Sequence, residues 1–206
     1  MKTMTRHLVV AAATAAFLIA FLPAASAHEA GDKLLRVGVG TVDPKSNNGD
    51  VVSVDSGTAV VFNGTYFFTP NLAFEILAAT PFSHDINLAE DGTKVGETKH
   101  LPPTFSLQYH FSTAGAFKPY VGAGLNYTLF FDESTTGPLA GLDLKLDDSF
   151  GVAAQLGADF DVSEKMFVNV DVRWMNIETD AQLDGEAVET VKIDPIVYSL
   201  NLGWKF

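Results

Sequence analysis

The sequence predicts an all-β protein, an eight-stranded antiparallel up-and-down transmembrane β-barrel. The first observation is the closing segment, residues 196–206, where every second residue is apolar and Ser199, Asn201, Gly203 and Lys205 lie between. A period of two is typical of a β-strand, and about 10 residues span a bilayer as a tilted strand. The second observation is that long polar loops alternate strictly with tight turns. The third is that the apolar faces carry no charge, whereas the opposite faces carry Arg36, Glu75, Asp159, Asp171 and Arg173.

Seven further strands are predicted from the same alternation. Their predicted ranges are 34–42, 58–68, 72–80, 104–111, 118–131, 150–162 and 166–177. Long loops are predicted at 43–57, 81–103, 132–148 and 178–192. Short periplasmic turns and longer outer loops are typical of outer-membrane barrels. A soluble barrel would place its charges outside and its apolar residues inside, which is the reverse of this pattern.

The first 27 residues are predicted to be a cleaved signal peptide. Lys2 and Arg6 form a positive region, residues 8–22 an apolar run, and residues 25–27 a small-residue cleavage site, so His28 is the expected mature N-terminus. No later segment approaches ~18 consecutive apolar residues, the length of a membrane-spanning helix. We therefore expect an exported protein whose outer-membrane β-barrel domain comprises residues 28–206.

The composition excludes several classes of protein. Without Lys2 and Arg6, 11 basic residues stand against 25 acidic ones, a formal charge of −14, which argues against nucleic acid as a partner. The chain has no cysteine, which excludes disulfides, a thiol nucleophile and cysteine-ligated metals. We find no metal-binding motif and expect no cofactor.

Several short motifs resemble those of one family of outer-membrane proteins. They are Leu101-Pro102-Pro103-Thr104, the run Lys-Pro-Tyr-Val-Gly-Ala-Gly-Leu-Asn-Tyr at 118–127, the Asp194-Pro195 step and the terminal Phe206. On these motifs the mature chain resembles the OmpW family, small eight-stranded barrels of the Gram-negative outer membrane. The resemblance implies passive uptake of small hydrophobic molecules and use as a receptor for some bacteriocins or phages. It also implies that the barrel-assembly machinery reads Phe206.

The inward-facing residues divide into two sets by height. An eight-stranded barrel has an interior just wide enough for side chains, so no open aqueous pore is expected. Near the periplasmic end we predict a paired polar plug, made by Arg36, Glu75, His110, Asp159, Asp171 and Arg173. Near the outer end we predict an apolar pocket, lined by Val42, Val61, Leu77, Phe130, Met175, Ile177 and Val197. Because buried charges must pair to offset desolvation, the plug is expected to block straight passage.

Prolines mark a place where a solute could leave sideways into the membrane. Proline lacks an N–H group and therefore interrupts a strand ladder. Pro81, Pro102, Pro103 and Pro195 are the candidates for such a lateral seam, and the boundary between the third and fourth strands is favoured. The alternative is that these prolines only end strands.

Three functions are compatible with this sequence. The leading hypothesis is a passive conduit for small hydrophobic solutes, and the second is a structural or surface-interaction barrel whose loops bind and whose lumen is inert. A lipid hydrolase would need His84, His100 or His110 beside a serine, but His84 and His100 are predicted to be solvated loop residues, so no enzyme is expected. Membrane lipids and lipopolysaccharide are the expected surroundings. The acidic loops either bind divalent cations bridging lipopolysaccharide or keep the surface solvated.

Overall fold

The computed structural model describes residues 28–206, and the predicted signal peptide lies outside them. Within the described residues, eight strands close into an antiparallel barrel, which confirms the predicted fold class. All strands are numbered in chain order. The barrel strands are β1 (Lys33–Asp43), β3 (Gly57–Phe67), β4 (Leu72–Ala79), β7 (Thr104–His110), β8 (Phe117–Thr135), β10 (Ser149–Asp161), β11 (Met166–Met175) and β14 (Ile196–Lys205).

The barrel is closed by its first and last strands. Around the ring the order is β1, β3, β4, β7, β8, β10, β11 and β14, and each strand pairs with the next. β14 returns to pair with β1 from Leu34↔Lys205 to Asp43↔Ile196. Closure removes the unpaired strand edges that would be costly in lipid. In the part of the chain that the structure describes, no helix is long and apolar enough to cross a membrane.

The two faces of the barrel strands have opposite chemistry. Along β3 the burial alternates residue by residue, with every inward side chain buried. On the outer face Leu107, Leu156 and Leu200 are 60–63% exposed. A continuous exposed apolar surface of this extent is typical of contact with lipid. The predicted assignment of faces is therefore confirmed.

Val170 allows a direct test of the lipid-facing surface. It lies in the middle of β11 and is 43% exposed. Val170→Arg is expected to lower the free energy of unfolding in lipid vesicles by about 2–4 kcal/mol, because a charge at the bilayer midplane loses its hydration. Val162→Arg is the matched control, since this exposed valine lies in a turn beside the interface and should cost only about 0–1 kcal/mol. Equal costs for the two changes would contradict the assignment.

The remaining strands lie in the four long connections at one end of the barrel, here called the loop end; the opposite end is the turn end. They are β2 (Val52–Val54), β5 (Phe82–Leu88), β6 (Lys94–Leu101), β9 (Leu144–Leu146), β12 (Glu178–Leu183) and β13 (Glu186–Lys192). β6 pairs with the upper part of β8, β5 with β6, and β2 with β5. β9, β12 and β13 form a separate three-stranded sheet. The barrel wall therefore continues beyond the membrane as two small sheets.

Two of the predicted loops are in fact β-hairpins. The segment 81–103 contains β5 and β6, and the segment 178–192 contains β12 and β13. Both carry an Asp-Gly step between the strands, Asp91-Gly92 and Asp184-Gly185. Asp184 and Gly185 both have positive φ angles, 52° and 82°, as a tight hairpin turn of this type requires. Because β6 pairs with the end of β8, β8 extends to Thr135, beyond its predicted end at 131.

Candidate functional site

Two arginines and three carboxylates form an ion-pair network inside the barrel. Arg36 donates from Nε and Nη2 to Asp159 Oδ1 (3.1 Å) and Oδ2 (2.8 Å), and from Nη1 to Glu75 Oε2 (3.1 Å). Arg173 Nη2 donates to Glu75 Oε1 at 2.6 Å, so Glu75 bridges the two arginines. Asp171 Oδ1 lies 3.6 Å from Arg173 Nη2. All five side chains are buried, so each charge depends on its partners for solvation.

The bonds of the network cross the lumen. Arg36 on β1 meets Asp159 on β10, and Glu75 on β4 meets Arg173 on β11. β4 and β11 are four strands apart in the eight-strand ring, on opposite sides of the barrel. The network thus ties opposite walls together across the interior.

Neutral side chains add hydrogen bonds to two of the carboxylates of the network, whereas Nε and Nη1 of Arg173 have no partner among the described residues. Tyr120 Oη donates to Asp171 Oδ2 at 2.9 Å, and Asn169 Nδ2 donates to Asp159 Oδ1 at 2.7 Å. Gly157 makes room for the tyrosine, because a Cβ there would lie 2.3 Å from the Tyr120 ring. Hydrogen bonds to charged groups in a low-dielectric interior are stronger than those in water.

His110 lies beside the network rather than within it. Its Nε2 is hydrogen-bonded to Gln108 Oε1 at 2.9 Å, and its ring stacks on Tyr120 with centroids 4.8 Å apart. Phe67 contacts the same ring edge-on at 4.7 Å. His110, a predicted member of the polar plug, is therefore part of an aromatic cluster at the turn end. The ion pairs of the network are formed by the other five predicted plug residues.

One histidine and carboxylate cluster has a spacing that a metal ion could use. His28, His110 and Asp159 each place a ligand atom within 4.8 Å of the others. Both oxygens of Asp159 already accept hydrogen bonds from Arg36. A cation would have to compete with the guanidinium group, so the charge pairing is the better explanation of this cluster.

The predicted apolar lumen residues fill the upper barrel instead of lining a pocket. Val42, Val61, Met175, Ile177 and Val197 belong to one buried cluster. Leu77 is buried outside this cluster, and Phe130 packs against it. The open space lies farther out than predicted, and Phe130 is the member of the predicted set that reaches it.

A cavity of about 170 Å³ lies among the strands of the loop end. Its walls come from β2, β5, β6, the end of β8, β9, β12 and β13, and its lining is almost entirely apolar, with Val95, Leu144 and Val191 among the contributors. We call this cavity the chamber. It is continuous with the buried cluster below it, because Leu146, Val191 and Ile193 belong to both.

His84 and His100 lie in the chamber wall, contrary to the expectation that they are solvated. Both are buried, at 2% and 3% exposure, and their rings stack with centroids 4.8 Å apart. They alternate with less buried residues along β5 and β6, and each faces inward from its strand. The alternation of Phe82, His84 and Ile86 was the sequence signal for this placement.

A single glutamate holds the first long connection over the chamber. The carboxylate of Glu189 on β13 accepts the backbone N–H groups of Asp50 (2.8 Å), Val51 (3.2 Å) and Val52 (2.9 Å). Lys192 adds a backbone bond to the carbonyl oxygen of Asn48 at 2.7 Å. These contacts join segments more than 130 residues apart and complete the wall of the chamber.

The barrel wall is interrupted between β4 and β7, where Pro81, Pro102 and Pro103 lie. Pairing of β4 with β7 ends at Leu77↔Thr104, and pairing of β5 with β6 begins at Phe82↔His100. Among the described residues, no ladder pair joins residues 78–81 to residues 101–103. We call this interruption the wall gap. Proline contributes to it because it cannot donate to a ladder.

Each edge of the wall gap is bonded to its other neighbour. On one side Thr80 donates its backbone N–H to Val60 of β3 at 2.9 Å. On the other, Asn126 Nδ2 donates to the carbonyl oxygens of Pro102 (3.2 Å) and Pro103 (3.3 Å). The gap is therefore a defined break between two satisfied edges.

Pro195 lies elsewhere in the wall. Its carbonyl oxygen accepts the Met175 N–H at 3.2 Å, which bonds β11 to the segment before β14. The adjacent Asp194 accepts from Lys45 Nζ (2.8 Å) and Asn176 Nδ2 (2.9 Å). Two strands, β1 and β3, separate β14 from β4 in the ring. Because the wall is bonded at Pro195, this proline does not belong to the lateral seam, contrary to the prediction.

The model of the OmpW family matches residues 29–206, almost the whole described chain. The chain belongs to the OmpW family. An OmpW-family relative, outer membrane protein W of Vibrio cholerae serotype O1 (strain ATCC 39315 / El Tor Inaba N16961), is 48% identical over 197 residues, covering 87% of this chain and 91% of that protein.

Solved structures of OmpW-family barrels agree with this assignment. The outer membrane protein OprG from Pseudomonas aeruginosa superposes with a TM-score of 0.78 at 36% identity, covering 88% of this chain and 98% of that one. Outer membrane protein AlkL, solved in DMPC lipid bilayers, gives a TM-score of 0.65 at 28% identity, covering 90% and 95%. The protein is thus an outer-membrane β-barrel, which places the turn end in the periplasm and the loop end, with the chamber, outside the cell.

Proposed function

We propose that this OmpW-family barrel takes up small hydrophobic molecules passively through the chamber and releases them sideways into the outer membrane. The observation that carries the proposal is the apolar chamber beside a break in the barrel wall. Uptake of hydrophobic molecules is also what the family resemblance implies.

The size of the chamber limits the solute. At about 170 Å³ it resembles an engineered apolar cavity of ~150 Å³ that binds benzene and stays dry. A single aromatic ring or a short alkyl chain therefore fits. Burial of such a molecule is favourable by about 25 cal/mol for each Å² of apolar surface removed from water.

The ion-pair network argues against passage straight along the barrel axis. Its bonds join opposite walls, and separating Arg36 from Asp159 or Glu75 would leave buried charges unpaired. That penalty is several kcal/mol, and an apolar solute offers no charge to replace the lost partner. The lateral route avoids it, since the wall gap begins next to His100, which lines the chamber.

A charge in the chamber provides the test. Leu144 lines the chamber from β9, whereas Leu142, two residues earlier, is 37% exposed and lies outside the lining. Leu144→Asp is expected to reduce uptake of a hydrophobic test compound by whole cells about tenfold or more, because an ionised carboxylate disfavours an apolar solute.

Leu142→Asp adds the same charge nearby and should leave uptake unchanged. The amount of each variant in the outer membrane is measured by heat-modifiable gel mobility. Unchanged uptake with Leu144→Asp would favour the second candidate, a surface-interaction barrel with an inert lumen. One observation favours that candidate, namely that the loops form ordered sheets presenting acidic side chains outside the cell.

The partners follow from the same placement. We propose that the exposed apolar belt contacts membrane lipids, that the loop sheets lie among lipopolysaccharide, and that the barrel-assembly machinery reads Phe206, which is 72% exposed. We propose no catalysis. Ser83 Oγ donates to Glu97 and His84 Nδ1 is bonded to the carbonyl oxygen of Asp55, so this serine and histidine are engaged separately.

A further inference from the structure

One aromatic side chain separates the chamber from the wall gap. Phe82 and His100 are the ladder pair that borders the gap on its loop-end side, and both side chains are buried, at 1% and 3% exposure. Their rings stack with centroids 5.4 Å apart and an interplanar angle of 17°. His100 lines the chamber, whereas Phe82 belongs to the buried cluster below it. The ring of Phe82 therefore occupies the space between the chamber and the gap.

The inward side chains at the gap itself are small. β4 faces the lumen with every second residue, and its last inward residue is Ala79, which packs against the buried cluster. On the opposite edge Pro102 is buried. An alanine methyl group and a proline ring fill little of the lumen, so the aromatic pair is the main obstacle on the chamber side of the gap. A solute that leaves the chamber for the gap must pass Phe82.

The ring of Phe82 is held by packing alone. A phenylalanine side chain makes no hydrogen bond or ion pair, and the contacts of this ring are the stack on His100 and the apolar side chains of the buried cluster. Turning the ring aside therefore breaks no polar contact of the side chain, in contrast to opening of the ion-pair network. An apolar solute in the vacated space restores the dispersion contacts that the ring gives up.

We propose that the ring of Phe82 is the gate between the chamber and the wall gap, closed at rest and turned aside by a passing solute. This inference rests on the proposed uptake through the chamber and the gap. A gate that is open in about 0.1–10% of molecules lowers the rate of passage by the same fraction. It also selects solutes by width, because a six-membered ring must displace Phe82 farther than a linear chain does.

Truncation of the gate is the first test. Phe82→Ala is expected to raise the initial rate at which whole cells take up radiolabelled toluene about tenfold or more, and the rate for linear hexane by less. Phe82→Leu keeps most of the packing volume and lacks the ring, so it should give a smaller rise in a barrel that is closer to the unchanged protein in stability. Rates are divided by the amount of folded barrel, measured by heat-modifiable gel mobility.

Phe67→Ala is the matched control. It removes the same side chain from an equally buried position, but Phe67 lies in the aromatic cluster at the turn end, away from the chamber. Its uptake of toluene per folded barrel should equal that of the unchanged protein. A rise as large as that of Phe82→Ala would show a general loosening of the barrel and would overturn the inference.

Closing the gap provides the second test. Ala78→Cys with Pro103→Cys closes the gap by a disulfide, and Phe82→Ala added to this pair should raise uptake after reduction but not after oxidation. A rise that persists with the disulfide formed would show a leak elsewhere and overturn the inference. Toluene uptake that neither Phe82 variant raises would also overturn it and leave the proposed function intact. If cells with the unchanged protein take up toluene no faster than cells lacking it, the proposed function fails as well.

Discussion

Arg36→Ala is expected to lower the free energy of unfolding of the barrel by about 3–5 kcal/mol. Arg36 makes two bonds to Asp159 and one to Glu75, and its Nη1 also donates to Thr65 Oγ1 at 2.8 Å. Removing the guanidinium leaves Asp159 without an ionic partner, in an interior that water does not reach. The loss is measured by urea unfolding in lipid vesicles.

The part of this destabilisation that comes from the unpaired charge can be separated from the part that comes from lost side-chain packing. Arg36→Met combined with Asp159→Asn removes the unpaired charge and should recover a large part of the stability, because the penalty comes from the orphaned carboxylate. Lys99→Ala is the surface control. Its ion pair with Asp132 is exposed and screened, so its removal should change little. Arg36→Ala with a cost as small as that of Lys99→Ala would show that the network does not support the barrel.

A disulfide across the wall gap is expected to abolish uptake of hydrophobic solutes. Ala78 and Pro103 are the next positions in register above the last ladder pair, Leu77↔Thr104. In this cysteine-free chain, Ala78→Cys with Pro103→Cys joins the two edges and also removes a proline. Under oxidising conditions uptake should fall to that of cells lacking the protein, and reduction should restore it. Non-reducing gels report the formation of the crosslink.

The same crosslink two pairs lower provides the control. Ile76 and Phe105 are directly paired where the ladder is intact, and both face lipid. A disulfide between cysteines at these positions should leave uptake unchanged in either redox state. Uptake that persists with the Ala78–Pro103 crosslink fully formed would exclude the wall gap as the exit, and the axial route would have to be reconsidered.

The barrel could be predicted from sequence because the membrane imposes one simple rule. Lipid requires apolar side chains at every second position, as at Tyr198, Leu200 and Leu202, and the residues between them face the lumen. The same rule identified Arg36 and Glu75 as inward-facing. It could not show that Glu75 bridges Arg36 and Arg173, since that depends on the stagger of strands far apart in the chain.

The chamber could not be predicted because it forms through contacts between distant segments. Glu189 meets residues 50–52, and His84 meets His100 only because β5 and β6 pair. The charged residues of segment 81–103 are typical of a solvated loop. They outweigh the weaker alternation of Phe82, His84 and Ile86, which is the pattern of a strand. The Asp-Gly steps at Asp91 and Asp184 are local signals of hairpins, but such a step also occurs in irregular loops and does not by itself show that the flanking segments pair.

Because the chamber is built from the long connections, the barrel strands and the chamber are under different evolutionary constraints. The barrel strands must match the thickness and chemistry of the bilayer. The hairpins formed by β5 with β6 and by β12 with β13 lie outside the bilayer, so lipid does not constrain their side chains. Each hairpin is a contiguous insertion between two barrel strands. On the proposed function, exchanging one of these hairpins with a relative would change the solute preference and leave the membrane-spanning strands as they are. Solute selectivity would then be a property of the connections, separable from the barrel that anchors them.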